Sequence, residues 1–534
     1  MGAALFQTLA VLLALTLYAV IVGRAVLHYL HMLQLNSYRN ERYLRWLNED
    51  LLKRIGPVSL LPLVALLFYW NSGLFFGIWI GGFLLLSLKR PKVPVKKPLV
   101  VTGRVKRLMA ATFLIWLGAS LLGLFPGATG LSPIPYFSLF LMLGLLLLLL
   151  PWLLVAANLL AVPVESTIAR WYIGDAGKII NGMPGLLVVG ITGSYGKTST
   201  KFILNELLLS RYNALMTPGS FNTLLGVTRI IREKLKPIHD LFLVEMGAKQ
   251  PGDIREICEL VHPRYGLITT IGKQHLEMFK SLANIVKTKS ELVESLPSDG
   301  IAFLNADDES FTEVRGRTQA KVVSFGVDSP GADYAAREIK YLANGLTALT
   351  LSLPNGETLL LETRLLGKNN IYNIVSAVAV AMELGVPENR IKATVRSLQP
   401  APHRLNVKKS AAGITIVDDA FSSNPLGARA ALDVLREIEG NRKVLITPGM
   451  VELGETEAEE NRLLGAYAAS RCDYVILVGI EQAKPIYEGL VSEGYPENQV
   501  YIAAHLNEAN DHFAKISREG DVVLYENDLP DTYN

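Results

Sequence analysis

The chain has 534 residues, 50% hydrophobic and only 19% charged, with mean hydropathy +0.29, and at ~100–200 residues per domain it holds about three or four units. Residues 1–162 carry 14 Lys/Arg against 3 Asp/Glu, net +11, while the remainder carries 38 against 46, net −8. This split excludes a small secreted scaffold and an ordinary cytosolic protein, and basic residues set between apolar runs argue against nucleic acid as a partner.

Apolar runs lie at about 3–23, 56–70, 72–88, 108–126 and 134–162. A helix needs about 20 apolar residues to cross a bilayer, and the first, fourth and fifth runs reach that length. The second and third are short and joined by Asn71-Ser72-Gly73, which reads as a hairpin crossing and returning, or as a re-entrant pair. The first run lacks a basic leading segment, so it is not read as a cleaved signal. Loops 24–54 and 89–107 hold six and eight Lys/Arg, which puts both in the cytoplasm. About five spans then place the N-terminus outside and everything after Val162 inside. The runs contain no charged residue, which argues against a transporter or pump.

After Pro163 the pattern alternates strand and helix, predicting an α/β fold with parallel sheets. Strands are expected at Leu186–Thr192, Leu241–Met246 and Gly266–Ile271, with helices over Lys197–Ser210 and Gly252–Val261. Residues 320–365 read as β hairpins, followed by helices at about 370–385 and 387–397. A second α/β region is expected from Pro402, with strands at Gly413–Val417, Lys443–Thr447, Tyr474–Val478, Gln499–Ile502 and Asp521–Tyr525. Cys258 and Cys472 are too few for a disulfide framework or a Cys-based zinc site, and suit a reducing compartment.

Residues 190–200 read GITGSYGKTST. The strand ends at Thr192, the loop is Gly193-Ser194-Tyr195-Gly196, and a helix opens with Lys197-Thr198-Ser199. Glycines let backbone N–H groups face phosphate oxygens, and the helix start adds a favourable dipole. In this reading Lys197 reaches the β/γ-phosphates and Thr198 holds Mg²⁺. The longer G-x-x-x-x-G-K-[ST] form fails at Ile191, and the string fits T-G-x-x-G-K-T-[ST]. Glu245 and His275 follow strand ends on the same rim, where a carboxylate and an imidazole suit one or two Mg²⁺ ions. Taken alone, a histidine such as His275 is more often structural, and beside a phosphate loop the balance reverses.

With these strings in order, residues 186–524 resemble the Mur ligase family, and within it the branch that adds D-alanyl-D-alanine. The resembling segments are Thr192–Ser199, Pro218–Val227, Glu245–Ala248, Ile271–Phe279, Leu304–Asp308, Gly367–Asn373, Pro402–Arg404, Asp418–Pro425 and Met450–Glu455. The apolar runs give an α-helical membrane region (1–165), and the resemblance implies a central ATP-binding domain with a phosphate loop (166–400) and a C-terminal Rossmann-like domain (401–534). It implies ATP and two Mg²⁺ ions, with Thr198 and Glu245 on one and His275 and a carbamylated Lys289 on the other. Asn370 and Asn373 are then placed near adenine. Arg404 reaches ATP from the last domain, and Asp418 or Asp419 contacts ribose or Arg404. Read without the family, Arg404 is a surface arginine and the two aspartates are a helix-start acid pair.

The family's chemistry is ATP-dependent amide formation through an acyl phosphate, on a cell-wall precursor carboxylate with an amino acid or dipeptide amine. Membrane lipid and other cell-wall enzymes are further implied partners. Three features depart from the family. The membrane region stands where a soluble substrate domain is usual. A K-G-S-R-like string is replaced by Glu526-Asn527-Asp528-Leu529-Pro530-Asp531, and a usual His is Asn369. A ligase for another carboxylate (polyglutamate, a lipid-linked peptide or a pseudomurein precursor) and a non-catalytic membrane scaffold remain as alternatives.

Overall fold

Long apolar segments satisfy their backbone polar groups internally by winding into helices. In the computed structural model, residues 2–49, 51, 55, 60–88, 98–128, 137–219, 221–272, 276–341, 346–400, 404–420, 423–451 and 453–527 are described. The chain divides into one unit over Met1–Ala169 and another over Arg170–Leu529.

In the first unit, three helices among the described residues are long and apolar enough to cross a membrane: Thr8–Leu35, Gly103–Leu122 and Leu150–Asn181. Gly73–Leu85 and Phe137–Leu148 are apolar but shorter. Two of the five apolar runs are built differently from a single spanning helix. The described part of the second run is the short helix Leu61–Ala65 and one 3₁₀ turn, Leu66–Phe68. At 1.5 Å per residue, such a segment falls well short of a ~30 Å hydrocarbon core. The fifth run divides at Leu149 because Pro151 has no N–H to continue the ladder, and its second part runs through Pro163 to Asn181. The expected turn at Asn71 is present, with its side chain accepting the Leu74 N–H at 3.1 Å. Aromatic rings fill the unit's interior: Trp79 and Phe140 meet edge-on at 4.8 Å, and the Tyr18 hydroxyl donates to the Leu143 carbonyl at 2.8 Å.

The second unit holds two sheets. The first comprises β1 (Leu187–Thr192), β2 (Ala214–Met216), β3 (Leu241–Glu245), β4 (Tyr265–Ile268), β5 (Ile301–Asn305), β6 (Lys321–Gly326), β7 (Tyr334–Tyr341), β8 (Thr347–Ser352) and β9 (Thr358–Thr363). Their order is β2-β3-β1-β4-β5-β6-β7-β8-β9, parallel as far as β7 and antiparallel beyond it. Alternate residues of β1 serve the two faces. Val189 and Ile191 pack towards Leu204 and Val378, while Val188 packs with Ile257 and Leu292. The expected hairpin exists at β8–β9, but the segment VVSFG is β6, paired parallel with β5.

The second sheet comprises β10 (Asn406–Lys409), β11 (Thr415–Asp419), β12 (Lys443–Thr447), β13 (Tyr474–Val478), β14 (Val500–Ala503) and β15 (Val522–Glu526), in the order β10-β11-β15-β12-β13-β14. Only β10 pairs antiparallel. Both cysteines are buried and free, and burial pushes the Cys258 thiol up to about 12 and the Cys472 thiol upwards as well.

Two helices over this sheet, Glu457–Ala469 and Ile480–Ser492, cross through paired glycines. A Cβ on Gly465 would lie 2.0 Å from the Ile486 carbonyl oxygen, and one on Gly489 would lie 1.9 Å from the Arg462 carbonyl oxygen. No rotamer change relieves a clash with backbone, so the helices must separate. Gly489→Ala is expected to destabilise the protein by about 1–3 kcal/mol or more, read by chemical denaturation. Wild-type stability in that variant would refute the close crossing.

Candidate functional site

The site forms where β1 ends and the chain turns into the helix Lys197–Leu208. Gly193 and Gly196 both have positive φ, +143° and +80°. A Cβ on Gly196 would stand 2.5 Å from Asn373 Oδ1, so the loop needs glycine for close approach as well as for its turn. The Ser194 and Tyr195 amides donate to the Thr270 carbonyl at 2.6 and 3.3 Å. The anion-facing donors are therefore the first-turn N–H groups of Lys197, Thr198 and Ser199, which have no partner within the helix. Thr192 and Ser194 brace the loop, donating to the Met246 and Gly272 carbonyls at 2.8 and 3.0 Å.

Lys197 turns back over the loop, its amine donating to the Gly193 and Ser194 carbonyls at 2.7 and 2.9 Å. Burial pushes its pKa down to about 8, with Arg404 adding to the fall and Glu245 opposing it. Glu245 ends β3 beside β1, in register with Ile191. The Thr198 hydroxyl donates to its two oxygens at 3.2 and 3.1 Å. Lys201, one helical turn beyond Lys197, forms a fully enclosed ion pair with Glu245 at 2.9 Å. Asn222 donates to Glu245 at 3.0 Å. Burial alone would raise the Glu245 pKa, but Lys201 and then Lys197 outweigh it and hold the carboxyl below its usual range.

Lys289 lies buried on the helix Leu282–Glu294. Burial first, and Lys197 second, force its pKa far below the ordinary lysine value. Asn373 accepts from the Thr200 hydroxyl at 3.0 Å, which sets it against the phosphate-loop helix, and donates to Asn370 at 3.4 Å. Arg404 lies within electrostatic reach of Lys197, Glu245, Asp419 and Glu526. Asp419 accepts the Leu405 N–H at 3.1 Å, and Asp418 accepts the Ala420 N–H at 3.4 Å. His275 falls outside the described residues. The Leu304–Asp308 string has a visible job: Asp308 accepts the Ile271 N–H at 2.6 Å, tying the chain after β4, and Asp307 binds Val327 and Tyr372.

Sequence reasoning missed Lys201, Asn222 and Glu526 as site residues. For Lys201 a signal existed, because a four-residue step from Lys197 places both lysines on one helix face. The donor set suits a magnesium nucleotide. Thr198 and Glu245 offer hard oxygens to Mg²⁺, and Lys197 with the helix start offers positive charge to phosphate. Among the described residues no three His, Cys, Asp or Glu side chains cluster, so the remaining oxygens would come from phosphate and water.

The profile of the Mur ligase middle domain matches residues 191–381, and that of the Mur ligase glutamate ligase domain matches residues 403–525. The chain belongs to the Mur ligase family. It is 35% identical over 294 residues to the UDP-N-acetylmuramoyl-tripeptide--D-alanyl-D-alanine ligase of Escherichia coli (strain K12), covering 55% of this chain and 64% of that one. The ligase of the same name from Mycobacterium tuberculosis (strain ATCC 25618 / H37Rv) is 32% identical over 346 residues, covering 62% and 66%. The chain thus spans just under two thirds of these relatives' length. Crystal structure I of MurF from Acinetobacter baumannii superposes with a TM-score of 0.61 at 27% identity, over 67% of this chain and 77% of that one. The MurF ligase from Thermotoga maritima in complex with ADP gives 0.59 at 25%, over 67% and 80%.

Lys201→Met leaves the Glu245 carboxylate enclosed without its cation and is expected to destabilise the fold by about 3–5 kcal/mol. Adding Glu245→Gln should recover much of that loss. Urea unfolding of the single and double variants measures both, and a loss that persists in the double variant would disprove the ion-pair account.

Proposed function

We propose that this chain is a membrane-anchored, ATP-dependent carboxylate–amine ligase that joins D-alanyl-D-alanine, or a similar amine, to a muramoyl-tripeptide carboxylate. The observation that carries this reading is the constellation at one strand edge: Lys197, Thr198 and Glu245 on the first sheet's side and Arg404 on the second's. The relatives named for that reaction share this stretch of chain.

Mg-ATP supplies the phosphoryl group and neutralises its charge. The chain's residues do the rest. The first-turn N–H groups and Lys197 grip the phosphates, with Lys197 exchanging its two carbonyl bonds for phosphate oxygen. Thr198 and Glu245 would hold a Mg²⁺ that offsets phosphate charge, and Lys201 and Asn222 fix the orientation of Glu245. Arg404 approaches from the other domain and stabilises charge gathered on the transferring group. The acceptor carboxylate oxygen bonds to the γ-phosphorus and ADP leaves. The amine then attacks the acyl carbon, phosphate leaves, and the amine's proton passes to the surroundings. Domain approach excludes the water that would hydrolyse the acyl phosphate.

Lys289 suits carbamylation because burial favours its neutral amine, whose nitrogen would bond to the carbon of CO₂ as a proton leaves for the surroundings. The carbamate would add an attraction to Lys197. With His275 it would hold a second Mg²⁺. In this reading Asn370 and Asn373 line the adenine side, and Asp418 or Asp419 contacts ribose.

The apolar helices of the first unit support membrane anchoring. Net +11 in residues 1–162 supports basic loops on the cytoplasmic face, a catalytic unit on that side, and an outside N-terminus.

Lys197→Ala should abolish substrate-dependent phosphate release and amide formation. The check is product mass after giving the full chain ATP, UDP-muramoyl-tripeptide and D-alanyl-D-alanine. Full activity in that variant would sink the mechanism, and phosphate release with only a different amine would reassign the donor. The full chain should also sediment with membranes through high salt and be released by detergent. Release by salt alone would refute the anchor.

A further inference from the structure

At the edge of the second sheet, β11 ends in Asp419 and β15 in Glu526, and the parallel register sets the two residues side by side. Adjacent residues in register project to the same face of a sheet. Their carboxyl groups lie within hydrogen-bonding reach of each other. Glu526 is only 1% exposed. Its Oε1 accepts the Ser423 hydroxyl, and its Oε2 meets no N–H or O–H donor among the described residues. Two enclosed carboxyls in contact cannot both be ionised. A single proton between them removes the repulsion and gives the orphan oxygen a bond.

We propose that Glu526 is a positioning residue for Arg404, forming with Asp419 a carboxyl pair that shares one proton and whose net charge of −1 anchors the guanidinium. The inference rests on the nucleotide reading of Arg404 given above. Asp419 is the ionised partner, because it accepts the Leu405 N–H and faces Arg404. Glu526 carries the proton: burial, and then the charge on Asp419, hold its pKa well above the carboxylate range. Among the described residues the charged groups facing the pair are Arg404 and Asp418, and Glu245 acts on Arg404 from the first sheet. With the proton in place, Arg404 and the pair sum to zero. Without it the sum is −1 and the guanidinium is drawn back, which opposes a triphosphate.

Glu526→Gln mimics the protonated carboxyl at every pH, and two measurements on the full chain in detergent test the proposal. The first is stability against pH. The pKa of Glu526 is raised on folding, so its protonated form stabilises the native state at low pH, and that contribution is lost as pH rises towards its folded pKa. Wild type should therefore match the variant in acid and fall below it as pH rises past the carboxylate range. The second is ATP affinity without turnover. Both proteins should lose affinity as the Lys197 amine, pushed down to about 8, gives up its proton; wild-type binding should weaken more steeply than Glu526→Gln with rising pH, by up to about a further tenfold per pH unit, the limit for one more linked proton. Parallel profiles for the two proteins in either measurement overturn the proposal. If neither protein binds ATP at any pH, the nucleotide reading fails instead, and the stability comparison alone decides whether the proton is shared.

Discussion

A negative charge sealed at a strand end governs the architecture of the second unit. Glu245 is enclosed, and it survives there because Lys201 faces it at 2.9 Å while Thr198 and Asn222 occupy its oxygens. Those partners come from the helix after β1 and from the segment after β2. The carboxylate therefore fixes where the phosphate-loop helix starts relative to β3. It also sets the electrostatics of its surroundings, since Lys197, Lys201, Lys289 and Arg404 all respond to it. Lys197, Lys201 and Arg404 bring three cations to one carboxylate, and burial favours the neutral form of Lys289 beside them. That surplus of positive charge is what a polyphosphate needs and an empty protein interior does not.

Much of this was legible in the sequence, for identifiable reasons. The run LVVGIT followed by GSYGKTST states strand, turn and helix in consecutive residues, and β12 and β13 fall on their expected bounds. Those strands are buried on both faces, so they read as uninterrupted apolar runs. β10, with the sequence NVKK, was not legible, because an exposed antiparallel edge needs no apolar signature. β7 was missed for a related reason: YAAREIKY carries a register shift between Arg337 and Lys340 that breaks its alternation.

The site was legible as a list and less so as a geometry. Lys197, Thr198 and Glu245 do meet. Yet Lys201 lay unmarked within the predicted helix Lys197–Ser210, and Glu526 stood only as the first residue of the string that replaces the family's basic one. Their roles arise from pairing across the fold, with Glu245 in one case and Asp419 in the other. No local pattern encodes such a pairing. In the first unit, composition announced the apolar runs, but the division at Pro151 and the short helix Leu61–Ala65 follow from backbone chemistry that hydropathy does not weigh.

The two cysteines have a practical consequence. Cys258 packs behind the strand that ends in Glu245, with its sulfur 3.7 Å from that of Met246, and Cys472 sits in the core of the second sheet. Both thiols are enclosed and held in the protonated form, so neither offers a thiolate to a reagent in solution. The native chain is therefore a silent background for thiol labelling. A single cysteine placed in a polar loop of the first unit would be the one reactive site on the molecule. Impermeant maleimides applied to intact cells could then report, loop by loop, which side of the bilayer each segment faces.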